Sequence, residues 1–157
     1  MRIRGLIEED FVNYKKASMF LAFPFCSFKC EKECGIKCCQ NSPTMKLPIK
    51  EVETDWLVER YLGNPITHAI VLGGLEPFDS FDDVLELIQK LRAVSQDDVV
   101  IYTGYNKDEV LDKLETLKGY PNIIVKFGRF RPNDRHRFDE VLGVELASEN
   151  QYAEKIS

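Results

Sequence analysis

Residues 18–39, SMFLAFPF followed at once by CSFKCEKECGIKCC, decide how this chain is read. Ser18 to Phe25 is an apolar run of the kind buried as a strand. Directly after it come Cys26, Cys30, Cys34, Cys38 and Cys39, five cysteines in fourteen residues, and the other 143 positions hold none. Thiolates crowded at the end of one strand suit a soft metal or an iron–sulfur cluster better than dispersed disulfides. Residues 26–43 are therefore the candidate cluster loop.

Working outward, 157 residues make one domain, 1–157. A chain of this size buries roughly 68–70% of its unfolded surface and needs no covalent staple. Its net charge of −5 argues against general nucleic-acid binding. No apolar run is long enough to span a bilayer, and Met1 to Lys16 is charged throughout, unlike a signal peptide. The expectation is a cytoplasmic protein with no membrane partner. In a reducing compartment clustered cysteines mean metal or redox chemistry, and an odd count leaves one thiol over in any all-disulfide scheme.

Continuous β-rich runs lie at Ser18–Phe23, His68–Gly73, Asp98–Gly104 and Asn122–Phe127, with a weaker one at Val141–Ala147. Continuous rather than alternating apolarity is the mark of strands covered on both faces. Helical faces fall between them: a faint one over Glu51–Leu62, then Phe81, Val84, Leu85, Ile88 and Leu91 behind a Ser80/Asp83 start pair. A third carries Val110, Leu111, Leu114 and Leu117, capped by Asn106 and Glu109 and stopped by Gly119 and Pro121. This alternation predicts an α/β fold, a mostly parallel sheet with flanking helices. In such a sheet the loops at the carboxyl ends of the strands share one edge. The cysteine loop, Gly73-Gly74-Leu75-Glu76-Pro77, Thr103-Gly104-Tyr105 and Lys126-Phe127-Gly128-Arg129 should therefore converge.

Three thiolates on a cuboidal cluster leave one iron open to a ligand. Cys26-x3-Cys30 after the first strand resembles the radical S-adenosylmethionine (radical SAM) signature C-x3-C-x2-C, although position 33 is Glu. Cys39 is the preferred third ligand, because Cys39-Gln40-Asn41-Ser42-Pro43 is similar to the C-x-N-P run closing that motif; Cys34 is the alternative. A zinc site using four of the thiolates is a further reading. The loop also carries Lys29, Glu31, Lys32, Glu33 and Lys37, charges that would not bury without an ion to organise them.

Further matches occur in order. Ile7–Asn13 resembles the segment before the cluster strand, Gly73-Gly74-Leu75-Glu76-Pro77 the motif G-G-[ED]-P with one extra residue, and Ile101–Tyr105 a Y-T-G-Y run. Gly128-Arg129-Phe130 is similar to G-R-F, and Ser148–Gln151 to S-x-N-Q. Together they resemble the glycyl-radical-enzyme activases of the radical SAM superfamily, above all those serving anaerobic ribonucleoside-triphosphate reductase. The resemblance implies a partial (β/α) barrel, a [4Fe–4S] cluster and S-adenosylmethionine bound by Gly73, Gly74, Glu76, Thr103, Tyr105, Lys126 and Arg129. It also implies reductive cleavage to a 5′-deoxyadenosyl radical, flavodoxin or ferredoxin as electron donor, and a glycyl radical enzyme as partner. Two other functions fit the residues: a small-molecule radical SAM enzyme making a modified-base precursor, and a non-catalytic zinc or iron–sulfur binding module.

Overall fold

The computed structural model describes residues 1–157. In chain order the elements are β1 (Arg2–Ile3), β2 (Gly5–Asp10), β3 (Ser18–Phe23), α1 (Lys29–Cys34), α2 (Ser42–Met45), β4 (Lys50–Glu51), α3 (Thr54–Leu62) and β5 (Ala69–Gly74). Then follow α4 (Phe81–Arg92), β6 (Asp98–Tyr102), α5 (Leu111–Leu117), β7 (Ile123–Phe127), β8 (Arg137–Asp139), β9 (Val144–Leu146) and β10 (Tyr152–Lys155). Short 3-10 turns at Pro77–Ser80 and Lys107–Glu109 precede α4 and α5.

Six strands build the central sheet in the order β10-β7-β6-β5-β3-β2. Its middle four, β3, β5, β6 and β7, are parallel, as the continuous apolar runs predict. Both edges are antiparallel: β2 against β3 and β10 against β7. The fold is mixed α/β, a mostly parallel sheet with flanking helices. The run at Val141–Ala147 does not join it; Val144–Leu146 pairs instead with Arg137–Asp139 in a separate two-stranded ribbon.

The larger core lies between the sheet and α3, α4 and α5, where Leu21, Phe23, Ile70, Leu72, Ile101, Val125 and Phe127 meet Leu57, Leu87, Ile88, Leu91 and Leu114. A smaller one on the opposite face joins Val71, Val100 and Ile124 to Tyr14, Leu142 and Leu146. The expected Asn106/Glu109 capping box forms on the 3-10 turn ahead of α5, with the Asn106 N–H donating to Glu109 Oε2 at 2.8 Å, while α5 itself follows Val110 without a side-chain cap. The Ser80/Asp83 pair fails: Ser80 makes no side-chain cap, and its hydroxyl oxygen is buried without a partner. The turn ahead of α4 is capped four residues earlier, where Glu76 Oε1 accepts the Phe78 N–H at 3.1 Å. No helix is long and apolar enough to cross a membrane.

Candidate iron–sulfur site

The four loops at the carboxyl ends of β3, β5, β6 and β7 enclose one cavity of about 290 Å³, at the lower end of the roughly 300–1,000 Å³ usual for small-molecule sites. Cys26, Cys30 and Cys39 line it; Cys34 and Cys38 do not. Gly73, Gly74, Glu76, Thr103 and Lys126 line it as well. The rim is laced by backbone bonds between consecutive loops: Glu76 N to Phe25 O, 2.9 Å; Thr103 N to Lys126 O, 2.9 Å; Gly128 N to Tyr105 O, 3.0 Å.

The cysteine loop begins with Ser27, whose N–H donates to Asp79 Oδ2 at 2.6 Å. Phe28, in a left-handed conformation (φ 53°), turns the chain into α1, and Gly35 (φ 72°) ends that helix. Further on, the Asn41 amide donates to the Gly74 carbonyl, fastening the stretch after Cys39 to the paired glycines. Gly74 itself has φ 84°, and a Cβ there would lie 2.6 Å from Ala22 Cα. That close approach to β3 backbone requires glycine. All five thiols are free and half-buried. Burial pushes the Cys26 thiol up to about 12 and raises Cys39 as well. In the absence of a metal these sulfurs hold their protons, and ligation displaces them.

Glu76 is 3% exposed. Its two oxygens accept from Thr103 Oγ1 (2.8 Å), Phe78 N and Gly104 N (2.8 Å), so it staples the β5 and β6 loops together. Desolvation lifts its carboxyl to about 7, against the pull of those donors. The Thr103 hydroxyl is likewise engaged, donating to Glu76 and accepting from Tyr105 N at 3.0 Å. Lys126 is 6% exposed. Its ammonium donates to Gly128 O at 3.0 Å, and desolvation lowers it to about 8, only partly offset by the charge of Glu76. It is a dehydrated cation on the cavity wall, held by carbonyls rather than by an ion pair.

Two residues expected in the ligand set stand outside the cavity. Tyr105 donates from its hydroxyl to Asp79 Oδ1 at 2.6 Å. Arg129 pairs with Glu109 (2.7 Å) and with Glu33 of α1 (2.9 Å). Lys29, also on α1, reaches the same Glu109 oxygen at 2.9 Å. Arg129 is thus a clamp on the cysteine helix. It holds the Glu109 carboxyl at about 2, chiefly through its hydrogen bond. Conversely, Gln151 lines the cavity although its motif suggested no role, donating from Nε2 to Gly128 O at 3.2 Å. Asn150 donates to Arg129 O at 3.1 Å. The S-x-N-Q and G-R-F stretches are therefore partners in space. Asp79, which anchors both Ser27 and Tyr105, carries no signature in the sequence.

No three His, Cys, Asp or Glu side chains converge as they would on a single ion. A cuboidal cluster carries its thiolates on separate corners, so three thiols spread around one cavity suit it better than a mononuclear site. Gly104 adds room, since a Cβ there would stand 3.4 Å from the Cys30 sulfur. The donor set therefore fits a [4Fe–4S] cluster. No curated protein matches the chain. A family description does match, over residues 16–151, from just ahead of the cluster strand to Gln151. The chain belongs to the 4Fe-4S single cluster domain family.

Proposed function

We propose that Cys26, Cys30 and Cys39 hold the [4Fe–4S] cluster with one iron open, and that the chain is a radical SAM activase. When bound and reduced, such a cluster supplies the electron that splits S-adenosylmethionine into methionine and a 5′-deoxyadenosyl radical. The protein's share is binding, orientation and exclusion of water. Lys126 offers a desolvated positive charge suited to the methionine carboxylate. Gly73 and Gly74, having no side chains, let the methionine amino group approach the main chain, where the Gly74 carbonyl already accepts from Asn41. Glu76 and Thr103 act one step back, fixing the loops through each other. The extra Leu75 and the engagement of Glu76 by Thr103, Phe78 and Gly104 support a positioning role for that carboxylate. The partial barrel of the superfamily, a cytoplasmic setting, flavodoxin or ferredoxin as donor, and a glycine Cα–H on anaerobic ribonucleoside-triphosphate reductase as target all belong to this proposal.

The observation that supports it best is that one cavity gathers three of the five thiols with the paired glycines and a dehydrated lysine. Protein reconstituted without oxygen should be brown and, with a strong reductant, convert S-adenosylmethionine to 5′-deoxyadenosine. Adding the reductase should give a glycyl doublet by EPR. Cleavage without a glycyl signal on any glycyl enzyme removes the partner. A stable cluster with no cleavage leaves a binding module.

A further inference from the structure

Two thiols remain that the cavity does not use. Cys34 ends α1, and Gly35 turns the chain back through a left-handed conformation so that Cys38 returns to it. The two sulfurs lie 2.9 Å apart, less than an ångström beyond a covalent S–S bond of about 2.05 Å. Gly35, Ile36 and Lys37 between them are exposed, so the pair is open to solvent and to small thiols.

We propose that Cys34 and Cys38 are a thiol–disulfide exchange site, oxidised by a low-molecular-weight disulfide to an intraloop Cys34–Cys38 disulfide. In the first step one cysteine sulfur attacks the small disulfide, forming a mixed disulfide and releasing one small thiol. The second sulfur then attacks the protein side of that bond, closing the ring and releasing the other small thiol. Each cysteine passes its proton to the thiolate that leaves, so two protein thiols are oxidised and one small disulfide is reduced.

The consequence rests on the three-ligand reading. Five thiols compete for the cluster, and a fourth ligand would saturate the open iron. Joining Cys34 to Cys38 withdraws both. It also ties the end of the Cys30 helix to the residue before Cys39, fixing the spacing of the second and third ligands.

The full chain, purified without oxygen, is equilibrated across ratios of reduced to oxidised glutathione, trapped with N-ethylmaleimide and mapped by mass spectrometry. A peptide pair joined through Cys34 and Cys38 should build up with oxidation, while Cys26, Cys30 and Cys39 stay alkylated. Alkylation of Cys34 and Cys38 at every ratio, or their joining to Cys26, Cys30 or Cys39, overturns the pairing. In parallel the double variant Cys34→Ser/Cys38→Ser should keep the wild-type iron content after reconstitution. Loss of iron would place one of the two among the ligands and overturn the assignment. A disulfide that forms in a chain unable to cleave S-adenosylmethionine supports the pairing and removes only the activase reading. Cleavage with both cysteines always alkylated does the reverse.

Discussion

Glu76 and Lys126 carry opposite charges in one dehydrated wall, and each is held away from its ordinary ionisation by burial. For Glu76 the folded chain binds the proton more tightly than the unfolded chain does. Its contribution to stability is thus complete below an ordinary glutamate value near 4.5 and is lost as pH rises through about 7. Glu76→Gln removes that titration. Over pH 4.5 to 7 the wild type should lose stability relative to the variant by on the order of 3 kcal/mol, read from urea midpoints. Parallel pH profiles would show the carboxyl to be unperturbed. Lys126 has the reverse sense: its folded value of about 8 lies below the usual 10.5, so carrying the charge at pH 7 is costly. Gly128 O also accepts from Gln151 and keeps a donor when the ammonium is lost, and Thr103 O gives up only a long contact of 3.5 Å. Lys126→Met should therefore raise the melting temperature at pH 7 and, under the activase proposal, weaken S-adenosylmethionine binding about tenfold or more, roughly 1.4 kcal/mol. A variant that melts lower and binds normally would make this lysine structural.

Among the elements, α1 buries no side chain. It is held by ions, Glu33 to Arg129 and Lys29 to Glu109. Arg129 is 9% exposed at its side chain and Glu33 53%, so the inner Arg129–Glu109 pair carries most of the clamp. Arg129→Leu should cost roughly 1.5–3 kcal/mol, the range for hydrogen bonds to charged groups. The readout is faster amide exchange in α1 and faster bleaching of the cluster. Unchanged exchange with lost S-adenosylmethionine affinity would return Arg129 to the ligand set. Such a clamp is hard to read in advance, because Glu33 and Arg129 are far apart in the chain and only the fold brings them together. Elements buried on both faces are legible in the sequence: the apolar run Ser18–Phe23 coincides with β3, and the runs at β5, β6 and β7 match those strands to within a residue or two. The edge strands are not. β2 (Gly5–Asp10) exposes Ile7, Glu8 and Glu9, and β10 exposes Lys155, so neither shows a continuous apolar run. Charged, half-covered edges are common because they discourage further pairing. At the site the sequence pointed to the four loops that meet. It could not tell which polar groups are taken up by one another, as Thr103 and Glu76 are.

At the scale of the whole molecule, the site is mounted on a body whose apolar cores do not include it. Neither apolar core includes any of residues 25–51, and neither α1 nor α2 contributes a buried side chain. The cysteine loop is attached instead by polar bonds: Ser27 to Asp79, Asn41 to Gly74, and the Arg4 guanidinium to the carbonyls of Pro24 (3.0 Å) and Met45 (2.7 Å). Small metal domains that lack a core unfold without their metal. A chain of this length has core enough to stand alone. Stripping the cluster with chelator and oxidant should therefore leave far-UV circular dichroism and the urea midpoint nearly unchanged, within about 1 kcal/mol, the range of a single ordinary hydrogen bond. Local order should fall instead. Trypsin should cut the stripped chain at Lys32, Lys37 and Lys46 faster than the loaded chain, while sites in α4 and β7 stay protected. Cooperative loss of the sheet on stripping would mean that the cluster is part of the core, and that the loop and the body fold as one unit.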